Sequence, residues 1–286
     1  MQATIKTVRG KRIPQALRDL IDPPKQLFVY SSGSGGLPGA GDDPAQRPVA
    51  IVGTRRPTAY GRRVAGMLAA RLASAGVPLV SGLAFGIDTC VHRAAVDVGG
   101  RTIAVLPGGV DRESISPQTN LRLADRIVAA GGALVSERPL GDSARKEYYL
   151  SRNRLISGMA RAVVVVEAAK PSGSLVTAQH AADQNKDLWA VPGPIDSLAS
   201  AGTNWLIHDA ASTLDSIDAF LQHLDIRPEE PARAGGLLTE FTGAPLHVNE
   251  LADRLERAIP DLETELTKLE LRGLVRRQDD GAYVRA

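Results

Sequence analysis

Six short apolar runs, each followed by a helical pattern, constrain this chain more than any other feature. They lie at residues 49–52, 79–81, 102–106, 133–136, 162–166 and 188–191, and most lead through glycine or proline into apolar residues at helical spacing. Strands alternating with helices predict an α/β fold: a doubly wound, mostly parallel sheet covered on both faces, with ligands at the carboxyl ends of its strands. The first unit, Pro48 to Leu72, shows the pattern most fully. A β-branched strand meets Gly53, passes Thr54, Arg55 and Arg56, and opens into a helix with Val64, Leu68 and Leu72 on one face. Such a loop aims backbone N–H groups and the positive end of a helix dipole at one spot, where an anion is favoured. The spacing Gly53 to Gly61 lacks the close glycines of the dinucleotide fingerprint, so the loop reads as a phosphate site without reading as an NAD site.

Around this core the chain divides into four parts. Residues 1–47 read as a basic mobile tail, a short helical piece, an edge strand at Leu27 to Tyr30, and a flexible Gly/Ser/Pro loop from Ser31 to Arg47. Residues 48–225 read as the α/β domain, and the proline- and charge-rich residues 226–236 read as a linker. Residues 237–286 carry three short helices and a hairpin turning at Asp279-Asp280-Gly281, which is the winged-helix order. The third of these helices carries Asp261, Glu263, Glu265 and Glu270 against Lys268 and Arg272. That balance opposes a phosphate backbone and favours a protein-contact or structural role, while Arg276, Arg277 and Arg285 keep duplex DNA within reach.

The net charge of +2 permits a nucleic-acid partner without requiring one. The single cysteine, Cys90, excludes an internal disulfide and reads as a small core residue in a reducing, cytoplasmic protein. No apolar run approaches the ~20 residues of a membrane span, so no membrane insertion is expected. The five histidines have no metal-ligand spacing, and neither a nucleophile elbow nor a Walker lysine is present, so no metal, cofactor or catalytic residue is assigned.

Four further loops invite chemistry. Ser81 to Asp88 carries Gly82 and Gly86, and reads equally as a ligand loop and as a turn with a capping Asp88. Leu106-Pro-Gly-Gly109 could approach a phosphate, or could be turn punctuation. In residues 146–157, Lys146, Arg152 and Arg154 interleave with Tyr148, Tyr149 and Asn153. Cations beside aromatic faces are what single-strand binders use; the alternative is tyrosines in the core and arginines paired with acids. Ser172, Gly173 and Ser174 open another helix and offer either an anion site or plain capping.

Taken together, Val49-Ala-Ile-Val-Gly-Thr-Arg-Arg56, Val80-Ser-Gly-Leu-Ala-Phe-Gly-Ile-Asp88, Gly100-Arg-Thr-Ile-Ala-Val-Leu106, Arg152-Asn-Arg-Leu-Ile-Ser-Gly-Met159, Val165-Val-Glu-Ala168, Ser172-Gly-Ser-Leu-Val-Thr-Ala178 and Ala190-Val-Pro-Gly193 with Gly202-Thr-Asn204 resemble the DNA-processing protein A (DprA/Smf) family. The resemblance implies an extended Rossmann fold and a winged-helix domain. It also implies non-catalytic single-stranded DNA binding, homodimerisation, and delivery of DNA to the RecA recombinase in natural transformation. By motif it places Arg55 as a phosphate-binding arginine, Lys146 as a second cation and Tyr149 as a base-contacting aromatic. The expected nucleic-acid contacts are therefore Gly53, Thr54, Arg55, Arg56, Gly82, Phe85, Lys146, Tyr149, Arg152, Asn153, Arg154, Ser172, Gly173, Ser174 and Asn204. Phe85 and Trp205 stand where members commonly carry arginine; the change either weakens phosphate binding or replaces charge with stacking. Two other readings remain: a phosphoribohydrolase resembling the lysine-decarboxylase-like enzymes, whose Pro-Gly-Gly motif is broken after Gly109, and a duplex-binding regulator acting through the C-terminal module.

Overall fold

A computed structural model describes residues 3–32, 47–226, 237, 240–241, 245–255, 257–271, 274–278 and 280–285. The chain divides into two compact units, Met1–Ile226 and Arg227–Ala286. In the first, nine strands form one sheet: β1 (Ala3–Arg9), β2 (Gln26–Ser32), β3 (Val49–Val52), β4 (Leu79–Ser81), β5 (Thr102–Val105), β6 (Ala133–Ser136), β7 (Ala162–Val165), β8 (Asp187–Ala190) and β9 (Ser212–Thr213). Their order is β1-β2-β6-β5-β4-β3-β7-β8-β9. Neighbours from β6 to β9 pair in parallel, whereas β1 with β2 and β2 with β6 are antiparallel.

Burial on both faces explains why the central strands read as continuous apolar runs. Ala50 and Val52 of β3 pack on one face, with Val163 and Val165 of β7; Val49 and Ile51 pack on the other, with Ala162 and Val164. The first face is covered by helices α1 (Gln15–Arg18), α5 (Lys146–Met159), α6 (Gly173–Asp183) and α7 (Ala201–Asp209), through residues such as Leu17, Ile156, Ala178 and Leu206. The opposite face is covered by α2 (Ala59–Ser74), α3 (Ile87–Asp97) and α8 (Ile217–His223), and toward β5 and β6 by α4 (Leu121–Ala129). Helices α2 and α6 follow the adjacent strands β3 and β7 but lie on opposite faces. The gap between those strand ends is thus the switch point of a doubly wound sheet, where ligands bind.

Two expectations for the N-terminal segment are corrected. Residues 3–9 are not a tail but the edge strand β1, paired along its whole length with β2. Its mostly exposed, basic sequence hid it, although lysine and arginine are what protect an exposed edge from further pairing. Consequently β2 is interior to the sheet, and it extends through Ser31 and Ser32, where the composition predicts the start of the flexible loop. Residues 33–46 of that loop, and the linker beyond Ile226, lie outside the described residues.

In the second unit, Leu237 and Glu240 are helical, followed by helices Val248–Leu255 and Ile259–Leu271 and an antiparallel pair, Val275–Arg277 with Tyr283–Arg285. Leu251, Leu262, Leu266, Val275 and Tyr283 form its core. Glu265 on the third helix is paired with Arg257 at 2.8 Å, and the Glu270 carboxylate accepts from the Arg277 backbone N–H at 3.2 Å. Part of the acidic character of that helix is thereby used internally. Among the described residues, no helix is long and apolar enough to cross a membrane.

Candidate nucleic-acid interface

Three loops and one helix meet at the switch point. The Thr54 N–H donates to the Glu167 carbonyl at 2.7 Å, tying the loop after β3 to the end of β7. The Ile87 N–H donates to the Thr54 carbonyl at 3.2 Å, tying in the loop after β4. These approaches need glycine: a Cβ on Gly53 would sit 2.6 Å from the Ile87 side chain, and one on Gly86 would sit 2.3 Å from the Thr54 carbonyl. Buried Glu167 accepts from the Thr58 N–H at 2.8 Å and the Thr58 hydroxyl at 2.6 Å. Thr58 in turn caps α2 by accepting from the Gly61 N–H. The strand-end carboxylate is therefore a brace at a helix N-terminus, with both oxygens accepting hydrogen bonds from Thr58.

Helix α5 closes the site from above. The buried Arg152 guanidinium donates to the Gly82 carbonyl at 2.9 Å and to the Val105 carbonyl, and lies against Asp88. Asp88 accepts from the Gly82 and Ala84 N–H groups at 3.2 and 3.3 Å. It thus holds the loop after β4 rather than capping α3. Burial raises the Asp88 carboxyl above its ordinary range, opposed by Arg152 and by those N–H groups. Burial also pulls the Arg152 guanidinium down to about 10, opposed by Asp88, and leaves it charged at neutral pH. Next to it, Asn153 donates to the Gly173 carbonyl at 3.1 Å, fixing α5 to the start of α6.

The open cavity has a volume of about 600 Å³ and is lined by Gly53, Thr54, Arg55, Lys146, Tyr149 and the Ser172–Ser174 turn, among others. Arg55 and Lys146 are exposed cations. The Arg55 guanidinium lies over the Tyr149 ring, 4.6 Å from its centroid, and the Tyr149 hydroxyl is 2.9 Å from the Ser116 hydroxyl. At α6 the Ser172 side chain makes no capping bond and is instead 2.7 Å from the Ser174 hydroxyl. The first turn of this helix therefore faces the cavity without a side-chain cap for its N–H groups.

Of the expected contacts, Gly53, Thr54, Arg55, Lys146, Tyr149, Arg152, Asn153, Ser172, Gly173 and Ser174 all line this cavity. Gly82 lies under the Arg152 guanidinium, and Arg56 and Phe85 line a neighbouring groove with Arg55. Two residues are not brought there. Arg154 points away, bound by both guanidinium arms to Glu137 at 2.6 and 2.9 Å and to Asp22 at 3.1 Å. Asn204 clamps a turn, exchanging hydrogen bonds with Gly193 at 3.0 and 3.2 Å. Trp205 is likewise committed, its ring face covered by the Lys170 ammonium at 4.0 Å. Arg152, though at the cavity wall, is spent on two carbonyls and a carboxylate. The residues 146–157 thus divide between the two readings given to them: the arginines pair internally, while Tyr149 keeps a face toward the cavity.

Leu106-Pro-Gly-Gly109 is buried, with the Gly109 N–H donating to the Asp142 carbonyl at 2.9 Å, and it does not line the cavity. Cys90 is half-buried rather than in the core. Sequence reasoning missed Arg62, which joins Arg55, Arg56 and Phe85 in the groove; its position one turn into α2, on the exposed face, was the available signal.

The family model of DNA recombination-mediator protein A matches residues 4–225, and that of the DprA winged helix domain matches residues 226–281. The chain belongs to the DprA/Smf family. Among DprA/Smf relatives, Protein Smf of Escherichia coli is 37% identical over 254 residues, covering 83% of this chain and 67% of that protein. DNA processing protein DprA of Bacillus subtilis is 38% identical over 220 residues, covering 77% of this chain and 71% of that protein. The crystal structure of DprA from Streptococcus pneumoniae superposes with a TM-score of 0.67 at 32% identity, over 76% of this chain and 74% of that one. DNA processing protein A from Helicobacter pylori, whose structure addresses its single-stranded DNA binding mode, superposes with a TM-score of 0.66 at 31% identity, over 78% and 97%.

Proposed function

We propose that this protein binds single-stranded DNA without sequence preference and without catalysis, protecting it and handing it to the RecA recombinase. The observation that carries the reading is the cavity at the switch point. Two exposed cations and an uncapped helix N-terminus supply phosphate contacts, and Tyr149 supplies a π-face beside them. Tyr149 is half-buried in a recess, so only a base already free of a duplex stack reaches it at low cost. Both ends of the Asn153 amide are engaged, one with Gly173 and one with Arg152. Those bonds fix its orientation as a link between α5 and α6.

The named neighbour from Helicobacter pylori, with its single-stranded DNA binding mode, supports the same ligand class. Membership of the family supports extending this reading to action in the cytoplasm during natural transformation, homodimerisation and delivery to RecA. Arg55, Lys146 and Tyr149 are the residues to which DNA binding is assigned. Arg152, Arg154 and Asn204 are reassigned to positioning the fold.

The test is a salt-titrated binding measurement with oligo-dT and a matched duplex, on the intact protein and on the Arg55→Ala/Lys146→Ala double variant. Preference for the single strand is expected. The double variant should bind more weakly, with a log K against log salt slope shallower by about 1.4, at about 0.7 per lost phosphate contact. Equal binding by wild type and variant, or preference for the duplex, would overturn the assignment.

A further inference from the structure

Beside the first cavity lies an open groove of about 690 Å³, and Arg55 lines both. Phe85 stands in this groove with 51% of its surface exposed, flanked by Arg56 and Arg62. A large exposed aromatic is ordinarily relieved by a loop that folds it inward. Here the loop has no slack. Arg152 holds the Gly82 carbonyl at 2.9 Å, Asn120 holds the Leu83 carbonyl at 2.9 Å, and Thr89 holds the Ala84 carbonyl at 2.7 Å. Asp88 holds the Gly82 and Ala84 N–H groups, and Thr54 holds the Ile87 N–H. Every arm of the loop is tied down, and Phe85 is its projecting tip.

The surrounding charge has a single sign. Among the described residues no ion pair engages Arg55, Arg56 or Arg62. Arg62 donates to the Pro57 carbonyl at 2.6 Å, which fixes its guanidinium at the groove and leaves the rest of the fork unused. A rigid aromatic platform between unpaired guanidinium groups is matched by a ligand that alternates flat π-faces with anions, and ordering such a platform costs little on binding.

We propose that this groove is a second nucleotide subsite of the same strand, in which Phe85 stacks on the base beyond the one at Tyr149, and Arg56 and Arg62 hold the adjoining phosphate. The proposal rests on the single-strand reading above and sets the direction of the track: from the α5 side, past Arg55, to the α2 and α3 side. Phe85 then supplies by stacking what a cation would supply by charge.

The protein carries its own reporter, because its one cysteine, Cys90, lines this groove. The rate of Cys90 alkylation by a maleimide is measured on the intact protein, alone and saturated with oligo-dT strands of increasing length. Because burial raises the Cys90 thiol, the reaction is run at mildly alkaline pH. Short strands should bind through Arg55 and leave the rate unchanged, whereas longer strands should slow it severalfold. Phe85→Ala should bind short strands as wild type does, lose about tenfold in affinity for longer ones, and lose the protection; Phe85→Trp should retain both. If long strands saturate the protein in an Arg55-dependent manner while Cys90 reacts as in the free chain, or if Phe85→Ala binds all lengths normally, the subsite is overturned and the first cavity stands. If no strand binds in an Arg55-dependent manner, both fall.

Discussion

The guanidinium of Arg55 lies over the ring of Tyr149, 4.6 Å from its centroid, joining a loop after the first parallel strand to a helix nearly a hundred positions later. The contact presets the spacing between the cation and the aromatic face that one nucleotide would meet. It also separates two contributions that experiments can distinguish, since one is charged and the other is not.

Tyr149→Ala should weaken oligo-dT binding by roughly 1–3 kcal/mol while leaving the salt slope unchanged, because no charge is lost. Tyr149→Phe removes only the hydroxyl contact with Ser116 and should remain near wild type. A changed slope in Tyr149→Ala would mean that Arg55 moves with the ring.

Arg152 and Arg154 should separate in stability experiments. Arg152→Met removes the partner of a buried carboxylate and the donors to two carbonyls, and should cost about 3–5 kcal/mol in urea unfolding. Arg154→Met breaks a partly exposed pair with Glu137 and Asp22, and should cost less. The salt slope of whatever Arg154→Met protein folds should match wild type, since that guanidinium faces away from the cavity.

These two arginines also mark how far the sequence was legible. The six parallel strands were, because burial leaves short apolar runs whose length, flanking glycine or proline and alternation with helical spacing mark them as strands. The loop pattern and the family motifs both single out Arg55, Lys146 and Tyr149, and the fold brings those three to one cavity. Arg152 and Arg154 look the same in sequence as phosphate ligands. What distinguishes them is the Gly82 carbonyl seventy positions earlier and the Asp22 carboxylate further still, and those encounters exist only once the sheet order is fixed. β1 was hidden for the opposite reason: an edge strand has little to bury, so its sequence carries little periodicity.

Acid should destabilise the protein through His92. Its ring is fully buried, with Nδ1 2.8 Å from the Thr102 hydroxyl and Nε2 without a partner, and burial pulls it down from 6.5 to about 3. Between those values the unfolded chain takes up a proton that the folded chain refuses. Stability is thus unaffected by this group above pH 6.5 and falls as pH drops toward 3, at up to about 1.4 kcal/mol per unit. Asp88, raised in the folded state, acts in the opposite sense above its unfolded value of 3.8, so the wild-type profile is a composite. The difference between wild type and His92→Phe isolates the histidine: urea midpoints should converge on acidification. Parallel profiles from pH 7 to 4 would show that His92 is not buried neutral.

Two glycine substitutions should have opposite signs. Gly86 has φ +80, and an added Cβ would meet backbone atoms of Thr54 and Arg55 at 2.3 and 2.6 Å, neither of which can swing aside. Gly86→Ala should therefore cost about 1–3 kcal/mol in backbone strain, break the Ile87 N–H contact with Thr54, and displace Arg55 from both cavities. Gly66 lies inside α2, where an added Cβ meets nothing within 4 Å. Gly66→Ala should stabilise by about 0.5–1 kcal/mol by restricting the unfolded chain. Urea unfolding orders the two, and oligo-dT binding completes the comparison. Gly86→Ala should bind weakly even under conditions where it is fully folded, and Gly66→Ala should bind as wild type. Normal binding by folded Gly86→Ala would mean that the approach of the two loops is not what holds Arg55 at the cavity.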